Sequence, residues 1–271
     1  MNRVNKRFDM ASATDVGRVR AHNEDSIAAD AEIGLATLAD GMGGYKAGEV
    51  ASGIAVAMVP AEMRKLSASQ TLQGMSDEAV RKLVTEQAAK VNTAIYAAAQ
   101  QQKQYSGMGT TLVIAYWHGD HVTIGHLGDS RCYRLRGESI NSLTRDHSWI
   151  QEQIDAGLMT YDQARASKKK NLVTRACGID PDVVPEVHTH DVAPGDIYIL
   201  CSDGLYDMVS DENIHLTVSS LKSNLPLAAQ QLVQQANDSG GRDNISVILV
   251  HVLNSAHAPA GFFAKLKNWF K

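Results

Sequence analysis

Cysteine is scarce in this chain. Its three copies, Cys132, Cys177 and Cys201, lie too far apart for a disulfide framework or a CxxC metal site. Their scarcity suggests a reducing compartment. No run of 18 apolar residues occurs, so no segment reads as a membrane span. The basic start MNRVNKRFDM carries no apolar stretch behind it, so we expect no secretory signal and a cytoplasmic location. Six prolines in 271 residues leave little room for Pro-rich linkers. There is no excess of positive charge: 30 acidic residues face 26 Lys and Arg, for a formal net charge of −4. That balance argues against a nucleic-acid binder.

What is present is an ordinary globular composition, 44% hydrophobic, enough to bury a core of full domain size. Residues 1–255 read as one continuous domain, and 256–271 as a linker and a tail. Strands are expected at Ile33–Ala39, Thr110–Trp117, His121–Leu127, Arg131–Leu135, Ile197–Cys201 and Asn244–Val252. The last is apolar at both alternating sets of positions, as in a strand buried on both faces. Helices are expected at 47–65, with Pro60 kinking or ending it, at 77–104 with Ser76 as N-cap, and at 225–238. Consecutive strands between 110 and 135 have no helices between them, which excludes a doubly wound βαβ fold. An α+β sandwich follows: two mostly antiparallel sheets with helices packed outside. Residues 145–180 are irregular and read as a surface insertion.

Carboxylates recur at strand edges: Asp40-Gly41, Asp129-Ser130, Asp203-Gly204, Asp243-Asn244, and Glu24-Asp25 in the N-terminal segment. Taken singly, each fits turn chemistry, because Asp bonds its own backbone and Gly accepts positive φ. Five together suggest more. Converging carboxylates cannot all stay ionised unaided. An all-oxygen ligand set favours hard divalent cations, Mg²⁺ or Mn²⁺. Two such ions can share a bridging water and lower its pKa, making it a nucleophile for in-line attack on a phosphoester. Arg20, four residues before Glu24, could clamp the substrate phosphate. The glycines of DGMGG (40–44) permit close backbone approach, but no Walker A motif is present. Paired histidines at 118/121 and 188/190 lack a third ligand motif nearby and read as surface or turn residues. His126 reads first as a packing residue.

The segments TDVGRVRAHNEDS (14–26), LADGMGG (38–44), GMGTTLV (107–113), HLGDSRCYRL (126–135), LTRDHS (143–148), LVTRACG (172–178), LCSDGLYD (200–207) and GRDNISVILV (241–250) together resemble the type 2C, metal-dependent serine/threonine protein phosphatases in their compact prokaryotic form. The resemblance spans residues 14–250. It implies a four-layer αββα sandwich with a metal site between the tops of the sheets. It also implies roles. Asp40 would bridge two ions, Gly41 would offer its carbonyl, and Asp203 and Asp243 would complete the first ion's shell. Glu24 would serve the second ion, partly through water, and Asp129 with Asp203 would hold a third, weaker one. Arg20 would hold the phosphate, and Asp25 and Asn244 would support the ligands. The insertion 145–180 would be the family's substrate-selecting flap.

Two positions depart from the family. Met42 replaces a histidine that serves many eukaryotic members as candidate acid, and Tyr45 replaces a histidine found in some prokaryotic ones. Leaving-group protonation then falls to metal-bound water, with Tyr45 a weaker candidate.

The implied activity is hydrolysis of phosphoserine and phosphothreonine in proteins by a metal-bridging water, opposing a serine/threonine kinase. The alternatives are a pseudophosphatase that binds phosphoproteins, and a hydrolase of small phosphoesters. Intact Glu24, Asp40, Asp203 and Asp243 favour catalysis. The tail 261–271 places Phe262, Leu266, Trp269 and Phe270 on one helical face among lysines. It could dock on a membrane surface or a partner, or fold back on the domain.

Overall fold

A computed structural model describes residues 6–44, 47–160, 163 and 172–256. Among the described residues, eleven strands form two antiparallel sheets. The first sheet has the order β1 (Phe8–Asp15), β11 (Ile245–Val252), β10 (Ile197–Cys201), β7 (Arg131–Arg136), β8 (Ser139–Ser142). The second runs β2 (Asp25–Asp30), β3 (Leu35–Met42), β5 (Leu112–His118), β6 (His121–Leu127), β9 (Glu186–Asp191), with the short β4 (Gly109–Thr110) paired to the end of β3.

Side-chain alternation builds the layers. In β11, Ile245, Val247 and Leu249 face the outer helices, while Ile248, Val250 and Val252 face the opposite sheet. In β3, Leu35 and Ala39 face outward, and Ala36 and Leu38 face inward. Each sheet therefore needs cover on both sides, which explains the two-sided apolar strand. Helices α1 (Ala47–Ala68) and α2 (Asp77–Gln101) cover the second sheet. Helices α5 (Asp211–Ser220) and α6 (Leu225–Asp238) cover the first. The result is the expected αββα sandwich.

Several local expectations hold. Ser76 caps α2 by accepting from Ala79 N–H at 3.3 Å. Val80, Val84, Ala88, Val91 and Ile95 line its buried stripe. α2 ends at Gln101, and a 3₁₀ turn (Lys103–Tyr105) follows where the helix had been extended to 104. Pro60 does not end α1: the helix continues through it to Ala68. Burial of Ala51, Ala55, Val59 and Met63 against the sheet offsets the hydrogen bond that proline cannot make. Strands β1, β2, β8 and β9 and helix α5 had no clear signal in the sequence.

The insertion opens with α3 (Trp149–Asp155), capped by Ser148. It is stitched to the core at Thr110↔Cys177, and by Gly178 N–H donating to buried Asn92 Oδ1 at 2.6 Å. Tyr45 and the tail 261–271 lie outside the described residues. Among the described residues, no helix is long and apolar enough to cross a membrane.

Candidate active site

At one end of the sandwich β3 and β10 finish, and β2 and β11 begin. The chain also crosses there between sheets, from β6 to β7. Asp40 lies near the end of β3, and its partner across the ladder is Asp25 on β2. Asp203 opens α4 (Asp203–Tyr206), a single helical turn directly after β10. Asp243 stands two residues before β11, Asp129 in the turn between β6 and β7, and Glu24 just before β2. Strand order thus brings together residues up to 219 positions apart in the chain.

A cavity of about 340 Å³ opens here, lined by Arg20, Glu24, Asp40, Gly41, Met42, Thr111, Asp129, Asp203, Asp243 and Asn244 among others, with Leu172 and Val173 of the insertion on its rim. Asp25 is not in the lining; it lies buried behind Asp40. Ser202 Oγ donates to Asp25 Oδ2 at 2.8 Å from the opposite sheet. Asn244 serves as a clamp: its Oδ1 accepts from Glu24 N–H at 2.8 Å, and its Nδ2 donates to the Val16 and His22 carbonyls. It thereby fixes the segment that carries Arg20 and Glu24.

Two glycines are required by close approach. A Cβ on Gly41 would lie 2.2 Å from Gly48 O and 2.6 Å from Glu24 O. A Cβ on Gly48 would lie 2.9 Å from Glu24 Oε1. The glycine cluster therefore lets β3, the start of α1 and Glu24 share one small volume.

The electrostatics are those of an overloaded acidic centre. Burial, then the charges of Asp25, Asp203 and Asp129, hold the Asp40 carboxyl well above its ordinary range. Burial and then Asp129 do the same to Asp203. Asp129 is pushed to about 7 by burial and by Asp146, and Asp25 to about 6 by burial. Burial raises Glu24 as well. Glu24 Oε1, Asp25 Oδ1 and Asp203 Oδ1 are buried without a hydrogen-bond partner among the described residues. Orphaned carboxylate oxygens of this kind fit hard divalent cations, which would neutralise the charge and fill the open acceptor positions. Arg20 lines the cavity, its guanidinium 2.6 Å from Asp243 Oδ2.

Some contributors had no separate signal in the sequence. Thr111 accepts from Asp40 N–H at 2.9 Å through its hydroxyl, donates its own N–H to Asp40 O at 2.8 Å, and pairs with Ser130 Oγ at 2.7 Å. Arg131 makes a two-pronged bond to Asp146 and stacks on Tyr206.

His126, His147 and Glu186 also gather with ligand-type atoms within 4.8 Å of one another. Their geometry is not that of a metal site. The imidazoles stack nearly parallel, 4.7 Å apart at 15°, so their in-plane lone pairs run side by side. His147 Nδ1 accepts from Gly128 N–H at 3.2 Å, which puts the His147 proton on Nε2, facing Glu186. His126 Nε2 donates to the Arg145 carbonyl. The pair is a hydrogen-bonded strut, in keeping with the packing role expected of His126.

The fold and the site define a class: a two-sheet αββα protein with a cation-type carboxylate centre at one end of the sandwich. The family model for protein phosphatase 2C matches residues 17–240, and the chain belongs to that family. It is 36% identical over 255 residues to the serine/threonine protein phosphatase PstP of Mycobacterium tuberculosis, covering 94% of this chain and 47% of that protein. It therefore spans about half the length of these first relatives. It is 35% identical to the serine/threonine phosphatase Stp of Listeria monocytogenes, over 88% of this chain and 93% of that one. The crystal structure of the PstP catalytic domain with two manganese ions superposes with a TM-score of 0.80 at 33% identity, covering 91% of this chain and 99% of that one.

Proposed function

We propose that the chain is a Mn²⁺- or Mg²⁺-dependent protein phosphatase that hydrolyses phosphoserine and phosphothreonine in proteins. The observation that carries this is the convergence of Glu24, Asp40, Asp129, Asp203 and Asp243 on one cavity, with orphaned buried oxygens on two of them. The manganese-bound relative supports two ions. Asp40 with the Gly41 carbonyl, Asp203, Asp243 and Glu24 would hold them. Asp129 and Asp203 would share a weaker third, with Asp25 and Asn244 supporting from behind. When bound, these ions supply a water nucleophile at neutral pH and neutralise charge on the phosphoryl oxygens.

The chain's own residues do the rest. Arg20 exchanges Asp243 for the substrate phosphate and orients it. Leu172 and Val173 exclude bulk water from one side of the cavity. Met42 lines the cavity but has no proton to give, so the leaving serine or threonine oxygen takes its proton from water held there.

Residues 1–255 form the catalytic unit, with 145–180 as its flap. The enzyme acts in the cytoplasm, on phosphoproteins made by a serine/threonine kinase. The pseudophosphatase reading is disfavoured because no carboxylate of the set is missing. Phosphate release from a phosphothreonine peptide, with and without Mn²⁺, tests the reading. Asp40→Asn and Asp203→Asn should each abolish Mn²⁺-dependent turnover, and near-normal rates in either would overturn it.

A further inference from the structure

Asp129 occupies a three-residue turn, and its backbone is held on several sides. Gly128 N–H donates to His147 Nδ1, and His147 N–H donates back to Gly128 O at 2.9 Å. Ser130 Oγ pairs with Thr111 Oγ1. These contacts come from the insertion and from the same sheet as β6. A fourth differs in origin: the Tyr206 hydroxyl donates to the Asp129 carbonyl at 2.9 Å. Tyr206 ends α4, the one-turn helix whose first residue is Asp203. One hydrogen bond thus ties the helix bearing one carboxylate to the turn bearing the other.

α4 is also held by Gly204 packing on the Asn244 backbone and by Asp207 and Val209 N–H donating back to the Asp203 and Leu205 carbonyls, but among these bonds only that of Tyr206 reaches the Asp129 turn. Four residues cannot stabilise a helix by their own hydrogen bonds. Its N-cap, Ser202, spends its hydroxyl on Asp25 rather than on the helix. Leu205 anchors the inner side in the core. On the other side stands Tyr206, and Tyr206 is itself locked. The Arg131 guanidinium lies 3.7 Å from its ring centroid. Arg131 is fixed in turn by bonds of 2.9 and 2.7 Å to Asp146 and one of 2.9 Å to Tyr133 Oη. A guanidinium with every nitrogen engaged cannot swing away, so the phenol ring is pinned against β7.

We propose that Tyr206 is a positioning residue whose hydroxyl sets the placement of Asp129 relative to Asp203, and so the fit of a divalent cation shared by those two carboxylates. The proposal rests on the phosphatase reading of the site.

Tyr206→Phe tests it, because it removes the hydroxyl and keeps the ring on Arg131. Mn²⁺ binding to the full chain is followed by the electron paramagnetic resonance signal of free Mn²⁺. The weakest class of ions should bind about five- to tenfold less tightly, the worth of one hydrogen bond. The tighter class should stay within about twofold. In the Asp129→Asn background, Tyr206→Phe should cause no further loss, since the two act through one interaction.

An unchanged weak class, an equal fall in both classes, or the same loss on top of Asp129→Asn would each overturn the proposal. Turnover of p-nitrophenyl phosphate separates the two levels. Wild-type protein that does not hydrolyse it with Mn²⁺ sinks the phosphatase reading. Wild-type turnover with an identical Mn²⁺ profile in Tyr206→Phe sinks the positioning role alone.

Discussion

Ser202 Oγ donates to Asp25 Oδ2 at 2.8 Å across the seam between the two sheets, and the same oxygen accepts from Ser246 N–H at 3.0 Å. The bond joins the end of β10 to the start of β2, directly behind Asp40. Ser202→Ala would take one donor from the buried Asp25 carboxylate and leave the Ser246 N–H without its partner. We expect a loss of about 1–3 kcal/mol in the metal-free protein, read from urea unfolding. A change under about 0.5 kcal/mol would mean that water replaces the hydroxyl in this seam.

Stability of the metal-free protein should fall as pH rises. A carboxyl whose folded pKa exceeds its unfolded value favours the folded state at low pH, and loses that contribution as pH climbs through the folded value. Asp25, at about 6, and Asp129, at about 7, both behave this way because they are buried. The window therefore runs from about pH 4 to 7, and Asp25 alone accounts for roughly 3 kcal/mol. Melting curves in EDTA should drop between about pH 4 and 7, while Mn²⁺ should remove most of that drop. Parallel curves with and without metal would show that the ions do not bind at Asp129 or beside Asp25.

Arg20 is held by Asp243 and faces the cavity. If the guanidinium moves onto phosphate, Arg20→Ala should raise the KM for a phosphopeptide about 10- to 100-fold, in line with the loss of charge-assisted hydrogen bonds. Mn²⁺ affinity should hold or improve, because Asp243 is released. Arg20→Lys should restore only part, since an ammonium lacks the planar fork. The opposite pattern, weakened metal and an unchanged KM, would make Arg20 a support for Asp243 only.

Two glycines of α1 form a matched pair. A Cβ at Gly48 meets Glu24 and the Gly41 backbone at 2.8–2.9 Å, whereas a Cβ at Gly53 meets nothing within 4 Å. Gly53→Ala should stabilise the protein by about 0.5–1 kcal/mol through helix propensity. Gly48→Ala should cost about 1–3 kcal/mol by overpacking, and should weaken Mn²⁺ by displacing Glu24. Thermal melting with calorimetric Mn²⁺ titration of both variants checks this. Equal behaviour would remove the case for close packing at Glu24.

The legible parts of the fold were those with strong local signals. β6, β10 and α6 fall on the expected ranges, His121–Leu127, Ile197–Cys201 and 225–238. β9 was not legible. Its sequence, EVHTHD, is polar, and it becomes a strand only because the edge of β6 offers open hydrogen-bond positions from His121 to His126. Pro60 is the converse case: expected to kink or end α1, it does not end it. A local breaker was overruled by burial along the whole of α1. At the site, Glu24, Asp40, Asp129, Asp203 and Asp243 line one cavity, and Asp25, read from the sequence as a supporting residue, lies buried outside the lining. Thr111, Ser202, Tyr206 and Arg131 were invisible as contributors, since their roles lie mainly in partners 15 to 177 residues away.

The layer pattern and the acidic residues at the strand ends are written locally in the chain, since alternation of side chains and turn chemistry involve near neighbours only. Tertiary structure decided which of those acids share one cavity and which stands behind it. It also decided that Arg20 meets Asp243, and that Tyr206 ties α4 to the Asp129 turn. Those facts depend on how antiparallel strands from two sheets finish at the same end, and so on long-range pairing that no single stretch of chain encodes.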